Sequence, residues 1–233
     1  MKRNLYLAAF CVVLLLTPNI ARLYAEGLEP VPLPAPQTNG GKPLMQTLLE
    51  RRTIREFKSD KLSPQVLANL LWAGFGINRS ESGSRTAPSA MNSQEIDIYV
   101  ALPEGLYVYD PKRPQLTPVL QGDFRGGTGG QDFTRKAPLS LIFVADLSRL
   151  AKAKAETRSF YADFDAGCIC QNIYLFCASE GLATVVHDLD RAPLAKKMEL
   201  RADQQIMFAQ AIGYPEAGKP DPAGSQASQK SSK

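Results

Sequence analysis

Histidine and tryptophan each occur once in the 233 residues, and cysteine occurs four times. With a single imidazole and no Cys-x-x-Cys pair, the chain offers no structural zinc site, and no metal is expected. Nor do the cysteines suggest a disulfide framework. Cys11 lies in an apolar N-terminal run, while Cys168, Cys170 and Cys177 fall within one helical stretch. Cys170 and Cys177 are seven residues apart, too far along a helix axis to bridge, and Cys168 and Cys170 diverge around it. They read as small buried hydrophobes. No apolar run reaches the roughly 20 residues that a membrane-spanning helix needs. No repeat recurs. The net charge of +4 is spread over mixed acids and bases, which excludes the concentrated basic face of a nucleic-acid binder.

What is present begins with a hydrophobic fraction of 44%, enough for a sizeable core and too much for wholesale disorder. Lys2 and Arg3 precede an apolar run, Leu5 to Leu16, then Thr17-Pro18 and a candidate cleavage site at Leu23-Tyr24-Ala25. Residues 1–25 therefore read as a secretory signal. The bulky Leu23 leaves an uncleaved anchor as the alternative. The expected location is exported and periplasmic, with the membrane met only through this segment. Residues 26–43 are dense in Pro and Gly and read as an extended, mobile linker. Residues 44–215 form the folded body, and residues 216–233 read as a disordered tail.

Within the body, Leu44, Met45, Leu48 and Leu49 fall at helical spacing. Ser63-Pro64 is an N-cap with a first-turn proline, ahead of the apolar positions Val66, Leu67, Leu70, Leu71 and Phe75. Ile96, Ile98 and Val100 alternate with polar residues as in a strand, and Leu106–Tyr109 forms a second strand across the turn Pro103-Glu104-Gly105. The continuous apolar run Leu139–Val144 predicts a strand covered on both faces. A long helix is expected from Phe160 to Glu180, ended by Gly181, and apolar almost all round. Leu182–Val186 and Ile206–Ile212 read as strands about a helix at Pro193–Leu200. The class is α+β, without a repeated βαβ rhythm.

Three stretches could carry chemistry. Arg51-Arg52-Thr53-Ile54-Arg55-Glu56-Phe57 places three guanidiniums and a hydroxyl where they can surround a phosphate. Alone, it reads better as a solvated basic helix terminus. Ser89-Ala90-Met91-Asn92-Ser93-Gln94 offers hydroxyl and amide groups to a heterocycle edge, or merely caps the next strand. Asp165-Ala166-Gly167 followed by Gln171-Asn172 suggests polar groups bonded across a helix contact.

In this order, with Ala-Pro-Ser-Ala (87–90), Gly-Leu-Tyr-Val-Tyr-Asp-Pro (105–111), Gly-Asp (122–123), Gly-Leu-Ala-Thr (181–184) and Gly-Tyr-Pro (213–215), these stretches resemble the nitroreductase superfamily. Within it they are most similar to the SagB-type dehydrogenase branch. The resemblance covers most of residues 44–215. It implies a nitroreductase-like mixed sheet flanked by helices, with FMN held at a homodimer interface. Carried over by position, Arg51, Arg52, Thr53 and Arg55 would hold the phosphate and ribityl chain. Ser89, Met91 and Asn92 would be contributed by the partner subunit, Val186 would bring backbone to the flavin, and Lys219 would be a second phosphate cation. His187 is the candidate proton donor.

The resemblance further implies a small-molecule substrate and NAD(P)H as a candidate electron donor, although that donor is scarce outside the cytoplasm. The chain departs from the family where Glu95-Ile96 stands in place of Pro and an aromatic. Two other readings compete with an FMN oxidoreductase. One is an exported binding module that has kept the fold and lost flavin chemistry. The other is a subunit of peptide-modifying machinery, for which the chain carries no recognition domain.

Overall fold

The computed structural model describes residues 27–216. The signal segment and the expected C-terminal tail, including Lys219, lie outside the described residues. Seven strands form one sheet in the order β1 (Val31–Pro32), β6 (Gln115–Gln121), β5 (Gly105–Asp110), β4 (Ile96–Ala101), β7 (Leu139–Asp146), β9 (Gln204–Gly213), β8 (Ala183–His187), while β2 (Ile77–Arg79) and β3 (Ser84–Arg85) pair separately and a short helix, α3 (Phe133–Lys136), precedes β7. The sheet was expected to be mixed. Every neighbouring pair in it is antiparallel.

The connections explain this. β4, β5 and β6 follow one another through short turns, which can only join antiparallel strands. After β7 the chain crosses through the long helix α4 (Arg158–Glu180) to β8, which runs parallel to β7 but one strand away. The last strand, β9, enters that gap antiparallel to both. β7 is thereby buried along its whole length. Its alternate side chains serve two cores. Leu139, Leu141 and Phe143 meet helix α2 (Pro64–Phe75) and α4 on one face. Ile142 and Val144 meet Leu194 and Met198, in and beside helix α5 (Arg191–Lys197), on the other.

Local signals set the helix ends. The Ser63 hydroxyl accepts from Val66 N–H at 3.3 Å, with Pro64 in the first turn of α2. Gly181, at φ 72°, closes α4 in the left-handed conformation that glycine adopts most readily. At Gly74 a Cβ would lie 3.0 Å from Ile173 Cγ1, so the missing side chain lets α2 approach α4.

Within a single chain, α4 is buried along one face. Its buried residues are Ala162, Asp165, Ala166, Ile169, Cys170, Ile173 and Cys177, a single stripe at spacings of three and four. Phe160 and Phe164 remain 68% and 62% exposed, and Gln171 faces solvent without a helix partner to bond. In the short helix α1 (Leu44–Glu50), Leu49 is 86% exposed and Leu44, Met45 and Leu48 are also open to solvent. Among the described residues, no helix is long and apolar enough to cross a membrane.

The stretch expected to be a mobile linker is instead laid along the body. Pro30, Pro32, Pro34 and Pro36 alternate with Val31, Leu33 and Ala35. In an extended chain this removes the donors on one side and leaves those on the other, which suits a sheet edge. β1 accordingly pairs with β6, and Leu33 N–H donates to Pro114 C=O at 2.9 Å. Leu33 is buried, Gln37 N–H reaches Asn69 Oδ1, and Gln65 Nε2 reaches Ala35 C=O. A chain begun at Leu44 should therefore unfold at lower urea than one begun at Gly27, with Leu33 alone worth about 2 kcal/mol. Equal midpoints would show that this strap adds nothing.

Candidate functional site

β8 is an edge strand, so its outward backbone groups have no strand partner. The segment that leaves α1 supplies part of one. Ile54 N–H donates to Thr184 C=O at 3.0 Å, and further on Lys58 N–H donates to Tyr214 C=O at 2.9 Å. Phe57 bridges Pro215. Upstream of Ile54, Thr53 and Arg51 come level with Val186. Here a side chain of α4 enters. Tyr174 Oη accepts from Val186 N–H at 2.9 Å and lies 3.3 Å from Thr53 Oγ1. The Arg51 guanidinium lies over the Tyr174 ring, 5.4 Å from its centroid, a cation–π contact.

Arg51 is half-buried, and Arg52 and Arg55 are exposed. None of the three has an acidic partner among the described residues, although Glu50 beside them is paired with Lys42 at 2.6 Å. A cleft of about 530 Å³ opens here, lined by Leu49, Arg51, Arg52, Ile54, Tyr174 and Thr184 among others. Arg55 lies on the same segment but outside that lining. The cleft thus joins unpaired cations at one end to a strand edge and a phenol at the other. Such a set can take an anion and a planar polar ring together.

The loop Ser89–Gln94 is built differently. Met91, Asn92 and Gln94 all have positive φ, at 54°, 53° and 49°, a costly conformation for residues other than glycine. Several bonds hold it. Ala90 N–H donates to Asp165 Oδ2 at 2.6 Å, and Gln94 N–H donates to Ser89 Oγ at 2.9 Å. Arg85 Nε and Gly83 C=O fix the Gln94 amide. Met91 and Asn92 are left exposed.

Asp165 and Tyr174 are nine residues apart on α4, about 14 Å along its axis. One chain therefore does not bring Ser89, Met91 and Asn92 to Arg51, Arg52 and Thr53.

His187 is also kept apart. On β8 it shares a face with Ala183 and Val185, packed with Phe57 and Phe133, whereas Val186 points to the α4 side. Its ring meets Phe133 edge-on at 5.4 Å, and a Cβ on Gly129 would lie 3.0 Å from Nδ1. Burial lowers its pKa. Strand alternation turns the His187 side chain to the face away from the cleft. Cys168, Cys170 and Cys177 are free, and burial raises the thiol pKa of each. No metal-binding cluster occurs among the described residues.

Two residues escaped the sequence reading. Tyr174 sits in an apolar helix run with no flanking pattern to mark it. Glu95 was noted only as a departure, yet it is fully buried and neither carboxyl oxygen makes a hydrogen bond. Burial chiefly, then the Asp165 carboxyl beside it, pushes Glu95 up to about 7; its own backbone N–H and Arg149 oppose the shift.

The sequence model of the Nitroreductase family matches residues 48–214. A protein of Methanocaldococcus jannaschii that carries a provisional nitroreductase name is 31% identical over 152 residues, 61% of this chain and 76% of its own. A crystal structure from Ralstonia eutropha, likewise a provisional nitroreductase, is 42% identical with TM-score 0.78, covering 82% of this chain and 91% of that one. One from Desulfovibrio desulfuricans, solved in complex with FMN, is 20% identical with TM-score 0.54, covering 79% and 95%. At that identity it shows the fold alone.

Glu95 yields a pH prediction. Its folded pKa of about 7 stands above the unfolded value of 4.5, so the native chain retains a proton that the unfolded chain has lost. The associated stability is present below about pH 4.5 and declines as pH rises through about 7, by on the order of 3 kcal/mol. Urea denaturation at pH 5.5 and 8.5 should show about 2 kcal/mol of this decline in the wild type and its near absence in Glu95→Gln. An unchanged pH dependence in the variant would place the proton elsewhere.

Proposed function

Because the chain belongs to the nitroreductase family, we propose that it is an FMN-dependent oxidoreductase acting on a small-molecule substrate. One observation carries this reading: three arginines lie on one short segment, beside a strand-edge cleft, with no acidic partner among the described residues. Such a cluster would be solvated surface if it stood alone. Beside a 530 Å³ cleft that ends in backbone and a phenol, it fits a phosphorylated planar ring.

When bound, FMN supplies hydride transfer through its N5. The residues of the chain bind and orient it. Arg51, Arg52 and Arg55 neutralise the phosphate, with the Thr53 hydroxyl at that same end. The backbone at Val186 faces the ring system. Lys219 would add a cation from outside the described residues. Cys177 lines the cleft, but burial raises its thiol pKa, and no side-chain nucleophile is required for hydride transfer.

The second half of the site comes from a second copy. The Ser89–Asn92 loop stands about 14 Å along α4 from the arginines, so a loop from another subunit completes the cleft. The apolar surface of α1, with Phe160 and Phe164 of α4, supports this because a subunit contact would cover it. The assembly is a homodimer in this reading. Its branch is the SagB type, its location is outside the cytoplasm, and NAD(P)H is its candidate donor, all resting on the sequence features described above.

A flavin-free binding module of the same fold is the competing reading. It is favoured by Glu95-Ile96, which stands where the family has Pro and an aromatic. The visible spectrum separates the two. The purified wild type should keep flavin absorbance after desalting or regain it on addition of FMN. The double variant Arg51→Ala, Arg55→Ala should lose it in both cases. A wild type that refuses FMN favours the binding module, and full occupancy in the double variant overturns the phosphate assignment.

A further inference from the structure

The arginine segment and the β8 edge are held together at few points. Ile54 N–H on Thr184 C=O is a backbone bond. Beyond it, towards the cleft, the segment swings away from the strand, and no further backbone bond joins residues 51–53 to β8. The gap is spanned by one side chain. Tyr174 Oη receives the Val186 N–H at 2.9 Å and meets Thr53 Oγ1 at 3.3 Å, while its ring supports Arg51 at 5.4 Å.

A phenol has one O–H and two acceptor lone pairs. It can therefore take the Val186 N–H and exchange a bond with Thr53 at the same time. Tyr174 grows from α4, whose buried stripe, including Ile173 and Cys177 on either side of it, fixes the helix against the core. The phenol is thus a rigid strut, anchored on one element and bonded to two others.

We infer that Tyr174 is a positioning residue of the cleft: it sets the spacing between the phosphate-binding arginines and the Val186 backbone, so that one ligand can engage both ends. The inference rests on the flavin reading given above. Tyr174 acts through Thr53, Arg51 and the Val186 backbone. A ligand with only one of the two ends, such as riboflavin or inorganic phosphate, gains little from correct spacing. FMN, which must reach both, gains most.

The test uses the full chain and three variants: Tyr174→Phe, which keeps the ring under Arg51 and removes the hydroxyl, Thr53→Val, and the pair together. FMN and riboflavin are titrated by fluorescence quenching, and thermal midpoints are taken without flavin. Tyr174→Phe should weaken FMN about tenfold, the scale of one well-placed hydrogen bond, and riboflavin much less. The preference for FMN over riboflavin should therefore fall. Thr53→Val should do the same, and the double variant should be little worse than either single one, because the two groups act as one unit.

Tyr174→Phe that binds FMN as the wild type does, or that loses both ligands equally, overturns the inference. So does a double variant whose loss is the product of the single losses. Should Tyr174→Phe fail to fold, Thr53→Val alone still decides, since an unchanged FMN preference in it shows that the hydroxyl bond to the arginine segment sets no spacing. A wild type that binds neither flavin sinks the cofactor reading itself, an outcome distinct from a binding wild type with an indifferent Tyr174→Phe.

Discussion

Half of the backbone donors and acceptors of an edge strand face away from its sheet, and something must meet them. The sheet has two such edges and treats them differently. At the β1 edge, alternating prolines remove the donors that would otherwise point outward. At the β8 edge there is no proline. Ile54 takes one acceptor, Tyr174 takes one donor, and the chain between them is pulled off the strand. The cleft is the space left by that incomplete pairing. Had residues 51–53 continued as an eighth strand, their arginines would have been carried along a closed edge with no cavity beside them.

What fixes both ends of the site is α4. Its buried stripe against α2 and the sheet makes it the most constrained element outside the strands. It also presents Asp165 to the Ser89–Gln94 loop and Tyr174 to the arginine segment. The two halves of the site are therefore held by one ruler, too far apart to meet within a chain. In the proposed homodimer, a two-fold axis would exchange the ends of the ruler between copies, so that assembly would complete the site.

Much of the architecture was legible because its signals are local. Ser63-Pro64, Gly181, the alternation at Ile96–Val100 and the run from Leu139 each mark an element by the chemistry of a few neighbouring residues. β1 was not legible. Its alternating prolines look like a linker until β6 is placed beside them. Apolar residues all round α4 mark it for burial in a core or at a subunit interface but do not say which face a single chain covers; Phe160 and Phe164 are left exposed in one chain. The arginine segment and the loop could be named from order and spacing. Tyr174 could not, since its meaning comes from a strand twelve residues on. His187 was placed near the site by its position in the chain, but the period-two alternation of β8 turned it to the other face.

Glu95 shows why a residue that breaks a pattern can still be built in. The Ser89–Gln94 loop holds three non-glycine residues at positive φ, and such strain persists only where the surroundings over-determine it. Asp165 supplies one anchor by accepting from Ala90 N–H, which is best done as a carboxylate. Glu95 lies beside that carboxylate and is wholly buried. Two adjacent buried charges would oppose each other with little water to screen them. Burial raises the pKa of Glu95 to about 7, so below that pH the opposition is relieved at the point where Asp165 anchors the loop. The departure from the family pattern at position 95 and the strained loop before it are therefore linked.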